Sequence, residues 1–436
     1  MRHIYGTVVF ALLALGWTPN KPTAVRVHVS PSKVHTLDDS DTSDDSDTSD
    51  DSDDGSDPDD DSDQNDSDSY DDSSGSYDDN SDSSGGGGCG SSGSDDDTNS
   101  YDDNTGSSGG GPIVTTLAGS GNIGSADGPG SSASFNSPNG IAFGPDGSLY
   151  VADTGNNKIR RVAVDGTVTT YAGSGSLGSN DGNCGVATFN MPVGIAVDGN
   201  NNVYVADTGN NAIRMITVTC LVATLAGNGM AGSVDDTGTA ASFNGPRGLS
   251  LDSWGNVYVA DTDNNKIRKV TPAGVVSTVA GTGTAGHADG ATSIATLNAP
   301  SGVGMNLAGI LFVAEYGNND IREITPDSVV STLAGSGTQG PLTDGLGARA
   351  AFNGPTSLAI GAGYLWVGDS YNHAVRRISE AGDVTTPAGT GVAGATDGQA
   401  NTATFYNPQG VAVNDRGVVY VVDQGNNKIR KITLAP

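Results

Sequence analysis

The chain has 436 residues and a formal net charge of −31, and its acidic residues are concentrated in the N-terminal quarter. Between Asp38 and Asp103 lie 27 of the 51 acidic residues and no lysine or arginine, so the net charge from residue 113 onward is only −8. This balance argues against a nucleic-acid partner, because affinity for phosphates depends on lysine and arginine. The 65 glycines favour short strands joined by turns over helices.

Residues 1–20 have the pattern of an export segment. A basic start is followed by an apolar run from Ile4 to Trp17, which has the length of the apolar region of a signal and is short for a membrane span. Two interpretations remain, a cleaved signal peptide or an uncleaved N-terminal anchor. Both predict a secreted, cell-surface or periplasmic protein, with membrane contact only through this segment if at all.

Residues 21–112 are predicted to be a disordered linker, rich in Asp, Ser and Gly. Such a composition cannot bury enough apolar surface to offset chain entropy, and like charges extend it. The run DDSDTSDDSDTSDDSDD is similar to the serine–aspartate stalks of bacterial surface adhesins, although it precedes the globular part. The linker lacks the spaced ligands of an EF-hand loop, so at most weak Ca²⁺ binding is expected, and no other cofactor is predicted.

Residues 113–436 contain one motif six times. The copies are separated by 53 to 55 residues and begin at Pro138, Pro192, Pro246, Pro300, Pro355 and Pro408. Each copy is predicted to form three short strands, because apolar residues alternate with small or polar ones between turn residues. A fourth strand follows five of the copies, at residues 168–171, 222–225, 276–279, 330–333 and 384–386.

The sixth copy has no fourth strand after it, but residues 114–117 before the first copy have the same pattern. We therefore predict an all-β, six-bladed β-propeller in which the N-terminal strand completes the last blade. A closed ring of this kind leaves only short, protected sheet edges.

The repeat also resembles a known family. The pattern P-x-G-(I/V)-A-(V/F), followed by (V/L)-Y-V-A-D-T-G-N-N-x-I-R, is similar to the NHL repeat over about residues 113–434. This resemblance implies a six-bladed propeller. The long A-G-x-G-x-x-G connection with a following D-G resembles the type found in bacterial secreted proteins and in teneurin-like extracellular propellers.

Residues that recur in every copy are interpreted as structural. The A-G-x-G-x-x-G motif matches a dinucleotide-binding fingerprint, but no helical pattern follows it and it occurs six times, so positive φ at a loop explains it better. The recurring Asp of A-D-T-G-N-N is expected to stabilise a turn. The recurring Arg of I-R is expected to form an ion pair between blades or to lie on a solvated face.

Two cysteines, Cys184 and Cys220, lie in the second copy at positions where no other copy has cysteine. Export permits disulfides, so the pair is a candidate bridge. The alternative is two separate, half-buried thiols.

Residues that break the pattern are better candidates for ligand binding. Turns between the second and third strands are expected to share a face with the segments that enter each first strand, and aromatic rings beside charges suit a polar ligand or a peptide. The candidates on that face are Arg247, Glu315, Tyr316, Tyr371 and His373. The alternative is ordinary surface variation.

Two functions remain open. The favoured hypothesis is an exported, non-catalytic binding or scaffold propeller that displays a protein- or glycan-binding face on an acidic stalk. The alternative, implied by resemblance to other propellers, is a metal-dependent enzyme such as a gluconolactonase-like hydrolase or a lyase, with its site in the central channel. No catalytic residue or metal ligand is predicted, because the globular part has only two histidines, His287 and His373, and its acidic residues are not concentrated at channel positions.

Overall fold

The computed structural model describes residues 111–434, which form six antiparallel sheets around a central channel. The predicted export segment 1–20 and the predicted linker up to residue 110 lie outside the described residues. Among residues 111–434, no helix is long and apolar enough to span a membrane. The sheets are numbered here as blades 1 to 6, beginning with the copy at Pro138.

Each blade has four strands that follow one another from the channel to the perimeter. The inner strands are Ile141–Phe143, Pro192–Val197, Pro246–Leu251, Pro300–Met305, Pro355–Gly361 and Pro408–Val413. The second strands are Leu149–Asp153, Val203–Asp207, Val257–Asp261, Leu311–Glu315, Tyr364–Asp369 and Val419–Asp423. The third strands are Lys158–Val162, Ala212–Ile216, Lys266–Val270, Asp320–Ile324, Ala374–Ile378 and Lys428–Thr433.

The outer strands of blades 1 to 5 are Val168–Ala172, Leu221–Ala226, Val276–Ala280, Val329–Ala334 and Asp383–Ala388. Four blades gain a two-residue fifth strand at the perimeter: Gly182–Asn183, Gly290–Ala291, Gly345–Leu346 and Gly398–Gln399. Short 3-10 helices form five of the turns between second and third strands: Thr154–Asn156, Thr208–Asn210, Thr262–Asn264, Ser370–Asn372 and Gln424–Asn426. Two more lie in connections between blades, Gly238–Ala240 and Gly347–Arg349.

The outer strand of blade 6 is the N-terminal strand Ile113–Ala118. It pairs antiparallel with the third strand of the same blade, with Val114 opposite Ile432. The predicted closure of the ring by the N-terminal strand is therefore confirmed.

The core lies between neighbouring blades. In the second strand of blade 2, Val203, Val205 and Ala206 are all fully buried, because both faces of each sheet are covered by other blades. Val203 and Val205 pack in one cluster with Tyr150 and Ala152 of blade 1. The second strand, V-Y-V-A, is therefore a continuous apolar run and does not show the alternation predicted from the sequence for the strands of each copy.

The arginine that recurs in the third strand is fully buried in each blade, as in the case of Arg160. Its Nη1 lies 2.6 Å from Asp153 Oδ2, at the end of the second strand, and its Nη2 lies 2.6 Å from Asp127 Oδ1, in the connection that enters the blade. The expectation of a solvated face or a pair between blades was wrong. The ion pair is internal and fastens the connection to its own blade.

The same arrangement recurs around the ring, with 2.6–2.7 Å between the arginine and the carboxylate of the second strand; the pairs are Arg160–Asp153, Arg214–Asp207, Arg268–Asp261, Arg322–Glu315, Arg376–Asp369 and Arg430–Asp423. In five blades a phenylalanine ring lies 4.9–5.3 Å from the guanidinium, which adds a cation–π contact. Burial raises the pKa of each of the five aspartates, while hydrogen bonds and the arginine oppose that rise.

Blade 2 carries a disulfide bond between Cys184 and Cys220, which are 36 residues apart. Cys184 follows the short fifth strand, and Cys220 directly precedes the outer strand. The bond therefore joins the connection that enters the blade to the turn before its perimeter strand.

Candidate functional site

One mouth of the channel opens into a polar depression of about 400 Å³. Its walls come from the turns between second and third strands and from the segments that enter the inner strands, so these two sets of loops share a face. We call it the turn face. Its charged and aromatic lining residues are Arg247, Asp263, Tyr316 and Tyr371, and side-chain amides are supplied by Asn139, Gln409 and Gln424.

Two tyrosines from neighbouring blades form the aromatic part of this depression. Tyr316 and Tyr371 are 37% and 49% exposed, and their hydroxyl oxygens are 2.9 Å apart. Their ring centroids are 6.1 Å apart in an edge-to-face arrangement. The hydrogen bond to Tyr371 and partial burial raise the pKa of Tyr316, so this phenol stays neutral at physiological pH.

Local glycines make room for these side chains. Tyr371 occupies a turn position that is glycine in four other blades, and Asp263 is the second exception. A Cβ atom on Gly354 would lie 2.8 Å from the Tyr371 ring, and one on Gly245 would overlap the Asp263 carboxylate. The four other blades carry a side chain at the position of these two glycines: Ser137, Met191, Ala299 and Asn407. Blades 3 and 5 alone therefore combine a larger residue in the turn, Asp263 or Tyr371, with a glycine opposite it.

Three of the five predicted ligand-binding residues, Arg247, Tyr316 and Tyr371, line the depression. Glu315 is fully buried instead, with its Oε2 atom 2.6 Å from Arg322 Nη1 and its Oε1 atom accepting a hydrogen bond from the backbone N–H of Asn298. It takes the place of the recurring aspartate, so its carboxylate does not reach the depression.

His373 also replaces a recurring residue. It adopts a left-handed conformation (φ 51°), as the second asparagine of the turn does in the other blades. Its Nδ1 atom accepts a hydrogen bond from the backbone N–H of Asn407, 3.3 Å away, and its ring stands edge-to-face against Tyr406. The structure therefore puts His373 at the junction of blades 5 and 6, where it does not line the depression.

Asp263 was not predicted from the sequence, although a signal was present. It stands where most copies have the glycine of A-D-T-G-N-N, which is the same irregularity that singled out Tyr371. Together Arg247 and Asp263 give the depression one positive and one negative side chain.

The channel itself is lined by the inner strands of all six blades. The part next to the depression encloses only about 60 Å³, and the residues there are Gly, Ile, Leu, Val, Ser, Thr, Asn and Gln. The part further along the inner strands encloses about 290 Å³ and is lined by apolar, glycine and serine residues. Neither lining contains an ionisable side chain, and within residues 111–434 no group of three His, Cys, Asp or Glu residues is placed to hold a metal ion.

Comparison with protein families identifies the repeat. The NHL repeat model matches residues 135–161, 189–214, 243–270 and 405–432, which lie in blades 1, 2, 3 and 6. The residues that break the pattern most, including Tyr316 and Tyr371, lie in blades 4 and 5, outside these matched segments.

Curated relatives agree with this match. NHL repeat-containing protein 2 of Gallus gallus is 30% identical over 66% of this chain and 45% of its own length. Teneurin-3 of Danio rerio is 30% identical over 43% of this chain and 8% of its own length. The chain spans less than half the length of the curated relatives it matches.

Among solved structures, a Bacteroides thetaiotaomicron protein of unknown function is similar in fold. It is 20% identical, with a TM-score of 0.58 over 74% of this chain and 76% of its own. The repeat match, the relatives and the six antiparallel sheets agree: the described part of the chain carries NHL repeats and folds as a six-bladed β-propeller.

Proposed function

We propose that this protein is a non-catalytic binding propeller whose ligand occupies the depression on the turn face. The observation that carries the proposal is the exposed pair of Tyr316 and Tyr371, with Gly354 leaving the space that Tyr371 needs. Exposed aromatic rings beside polar groups are typical of recognition surfaces, whereas the rest of the repeat is occupied with holding the ring together.

The shape and charge of the depression favour a glycan. Its volume of about 400 Å³ falls in the usual range for small-molecule sites, about 300–1,000 Å³. A protein partner needs a larger surface, roughly 800 Å² on each side. Since the charges of Arg247 and Asp263 balance, and amides and hydroxyls supply donors and acceptors, a neutral sugar ring stacked on a tyrosine is the ligand that fits best.

The buried ion pairs support this role because they hold the binding loops in place. Asn156 Nδ2 donates to Asp153 Oδ2 at 2.8 Å and to Gly124 O at 2.7 Å, so the turn, the ion pair and the incoming connection form one network. Loops that are ordered before binding lose less entropy when the ligand arrives.

Display outside the cytosol is the second part of the proposal. The export-like segment 1–20 and the acidic residues 21–112 would carry the propeller on an extended stalk. The Cys184–Cys220 disulfide fits an oxidising compartment, where such bonds persist.

The channel-centred enzyme receives less support. A hydrolase or lyase that depends on Ca²⁺ or Zn²⁺ needs several carboxylates or imidazoles that converge on one point. The residues lining the channel offer hydroxyls, amides and backbone groups instead.

The test is binding of the full chain to an array of neutral oligosaccharides, followed by titration calorimetry with the best glycan. Tyr316→Ala and Tyr371→Ala should each weaken binding about tenfold or more, as expected for a central aromatic contact. Tyr406→Ala is the matched control, since Tyr406 is 44% exposed but does not line the depression. If all three variants bind the glycan as tightly as the wild type does, or if all three lose the same amount of affinity, the proposed site is refuted.

A further inference from the structure

Blade 4 differs from its neighbours at the first residue of the third strand. In blades 1 and 3 this residue is a lysine, and Lys158 Nζ and Lys266 Nζ lie 2.7 Å and 2.8 Å from the Oγ atoms of Ser125 and Ser233. In blade 4 both partners have changed. Asp320 replaces the lysine, and His287 replaces the serine, with 2.5 Å between His287 Nε2 and Asp320 Oδ2.

The two new residues lie in different environments. The His287 side chain is 44% exposed, whereas the Asp320 side chain is fully buried. Asp320 Oδ1 is also buried and has no hydrogen-bond partner among the described residues. An ionised carboxylate in this position would leave part of its charge neither solvated nor paired, which is costly.

The negatively charged groups at Asp320 outnumber the positively charged ones unless a carboxylate is protonated. The charged and titratable groups that face it are Glu315 on the second strand, Arg322 on its own strand, and His287 and Asp289 on the incoming connection. Three carboxylates therefore share one guanidinium. In blade 1 the corresponding groups are two carboxylates, one guanidinium and the ammonium of a lysine.

Protonation restores the balance. Burial, and next the negative charge of Glu315, raise the pKa of Asp320 to about 9. When the chain unfolds, this carboxyl returns to an ordinary pKa near 3.8 and releases its proton at any intermediate pH. Unfolding is thus favoured as pH rises through this range, and the stabilisation from the bound proton is lost by about pH 9.

The cluster is connected to the turn that carries Tyr316. Glu315 pairs directly with Asp320 in the sheet, and its Oε2 atom accepts a hydrogen bond from Asn318 Nδ2. The backbone N–H of Asn319 donates to the carbonyl oxygen of Glu315, four residues back. This turn is the only one of the six, within the described blades, that is not a 3-10 helix.

From this geometry we propose that His287, Asp320 and Glu315 form a proton-dependent fastening of blade 4, which holds the turn 316–319 in neutral and acidic solution and loosens it in alkaline solution. The proposal concerns the stability of one turn and does not depend on the identity of any ligand.

The chain supplies the variant that tests it. The double substitution H287S/D320K recreates the serine–lysine contact of blades 1 and 3. Amide hydrogen exchange of the full chain is followed by mass spectrometry between pH 6 and pH 9.5, and the turn of blade 4 is compared with the equivalent turn 262–265 of blade 3. The ratio of the two rates removes the general acceleration of exchange by base.

In the wild-type protein the blade 4 turn should lose protection relative to the blade 3 turn as pH rises, by up to about tenfold per pH unit for one linked proton. In H287S/D320K the ratio should stay constant. A constant ratio in the wild-type protein, or an unchanged pH dependence in the double variant, would overturn the proposal.

The single substitution Asp320→Asn tests the proposal even if the double variant fails to fold. The amide imitates the protonated acid in size and has no charge to release, so the turn should keep its protection at pH 9.5. Asp146→Asn is the control, because Asp146 belongs to an exposed ion pair in blade 1 and should leave the ratio unchanged. If Asp320→Asn keeps the wild-type pH dependence, the proton is not held at Asp320 and the proposal fails.

Discussion

Two adjacent arginines in blade 1 allow the stability contributed by a buried ion pair to be compared with that of an exposed one. Arg160 is fully buried between Asp153 and Asp127, whereas Arg161 points the other way, is 39% exposed and lies 2.9 Å from Asp146. We compare Arg160→Met with Arg161→Met. Each substitution removes one guanidinium while keeping a long side chain, at neighbouring positions of one strand. Arg160 loses two carboxylate partners, one of them fully buried, whereas Arg161 loses one partly exposed partner.

The expected costs differ because the partners left behind differ. Without Arg160, the fully buried Asp153 keeps hydrogen bonds from the Asn136 N–H and from Asn156 Nδ2 but loses its counter-charge, and the carbonyls of Ala126 and Ser134 lose a donor. Breaking a buried pair in this way costs about 3–5 kcal/mol of unfolding free energy. Removing Arg161 leaves Asp146 in contact with water, so the cost should be about 0–1 kcal/mol.

Denaturation by urea, followed by far-UV circular dichroism at pH 7, measures the difference. Arg160→Met should lower the denaturation midpoint clearly, and Arg161→Met should stay close to the wild type. A further variant, Arg160→Met with Asp153→Leu, should recover part of the loss since it removes the unpaired charge. Similar midpoints for the two single variants would refute the view that the internal ion pair holds the blade together.

Three further predictions address other parts of the ring. In the closing strand, Val114→Ala should lower the free energy of unfolding by about 2 kcal/mol, because Val114 is fully buried. Ile113→Ala, at a 43% exposed position, should lower it by less than about 0.5 kcal/mol. Equal losses in thermal or chemical unfolding would contradict closure of the ring by this strand. Removing the disulfide by Cys220→Ser should lower the unfolding free energy by up to about 4 kcal/mol, as expected for a 36-residue separation, and should abolish the effect of a reducing agent on the midpoint. Gly354→Ala should destabilise the protein and weaken glycan binding, since the new Cβ meets an aromatic ring. Gly363 has a similar positive φ, but the space beside it is open. Gly363→Ala should therefore lower the free energy of unfolding only by the backbone strain of about 1 kcal/mol.

The sequence was sufficient to predict the architecture because the information is repeated. Six copies with nearly constant spacing define the blades, and the single unmatched strand before Pro138 indicates how the ring closes. The repeat also fixes which face a turn residue occupies. For this reason Tyr316 and Tyr371 could be predicted to share a face with Arg247.

Whether a side chain is buried was harder to predict from the sequence than which blade and which face it belongs to. Glu315 looked irregular as a residue type, yet it holds the place of the recurring aspartate and pairs with Arg322. The burial of Arg160 depends on Phe135 and Asp127, which precede it by 25 and 33 residues in a glycine-rich connection, and no local pattern joins the three. The His287–Asp320 contact is hidden for the same reason, since its two members are 33 residues apart.

The closing strand also constrains how the molecule can assemble. Val114 pairs with Gly398 and Ile432, both in blade 6. The first strand of the ring to be synthesised therefore has no pairing partner until nearly the whole chain has been made. Contacts between such distant residues are slow to form, and an open array of blades exposes strand edges in the meantime. The same pairing makes the two ends of the propeller neighbours in one sheet, with Ile113 opposite Thr433. A permuted gene that joins these ends and opens the chain between two other blades should therefore encode the same ring, with its point of closure moved to a different blade.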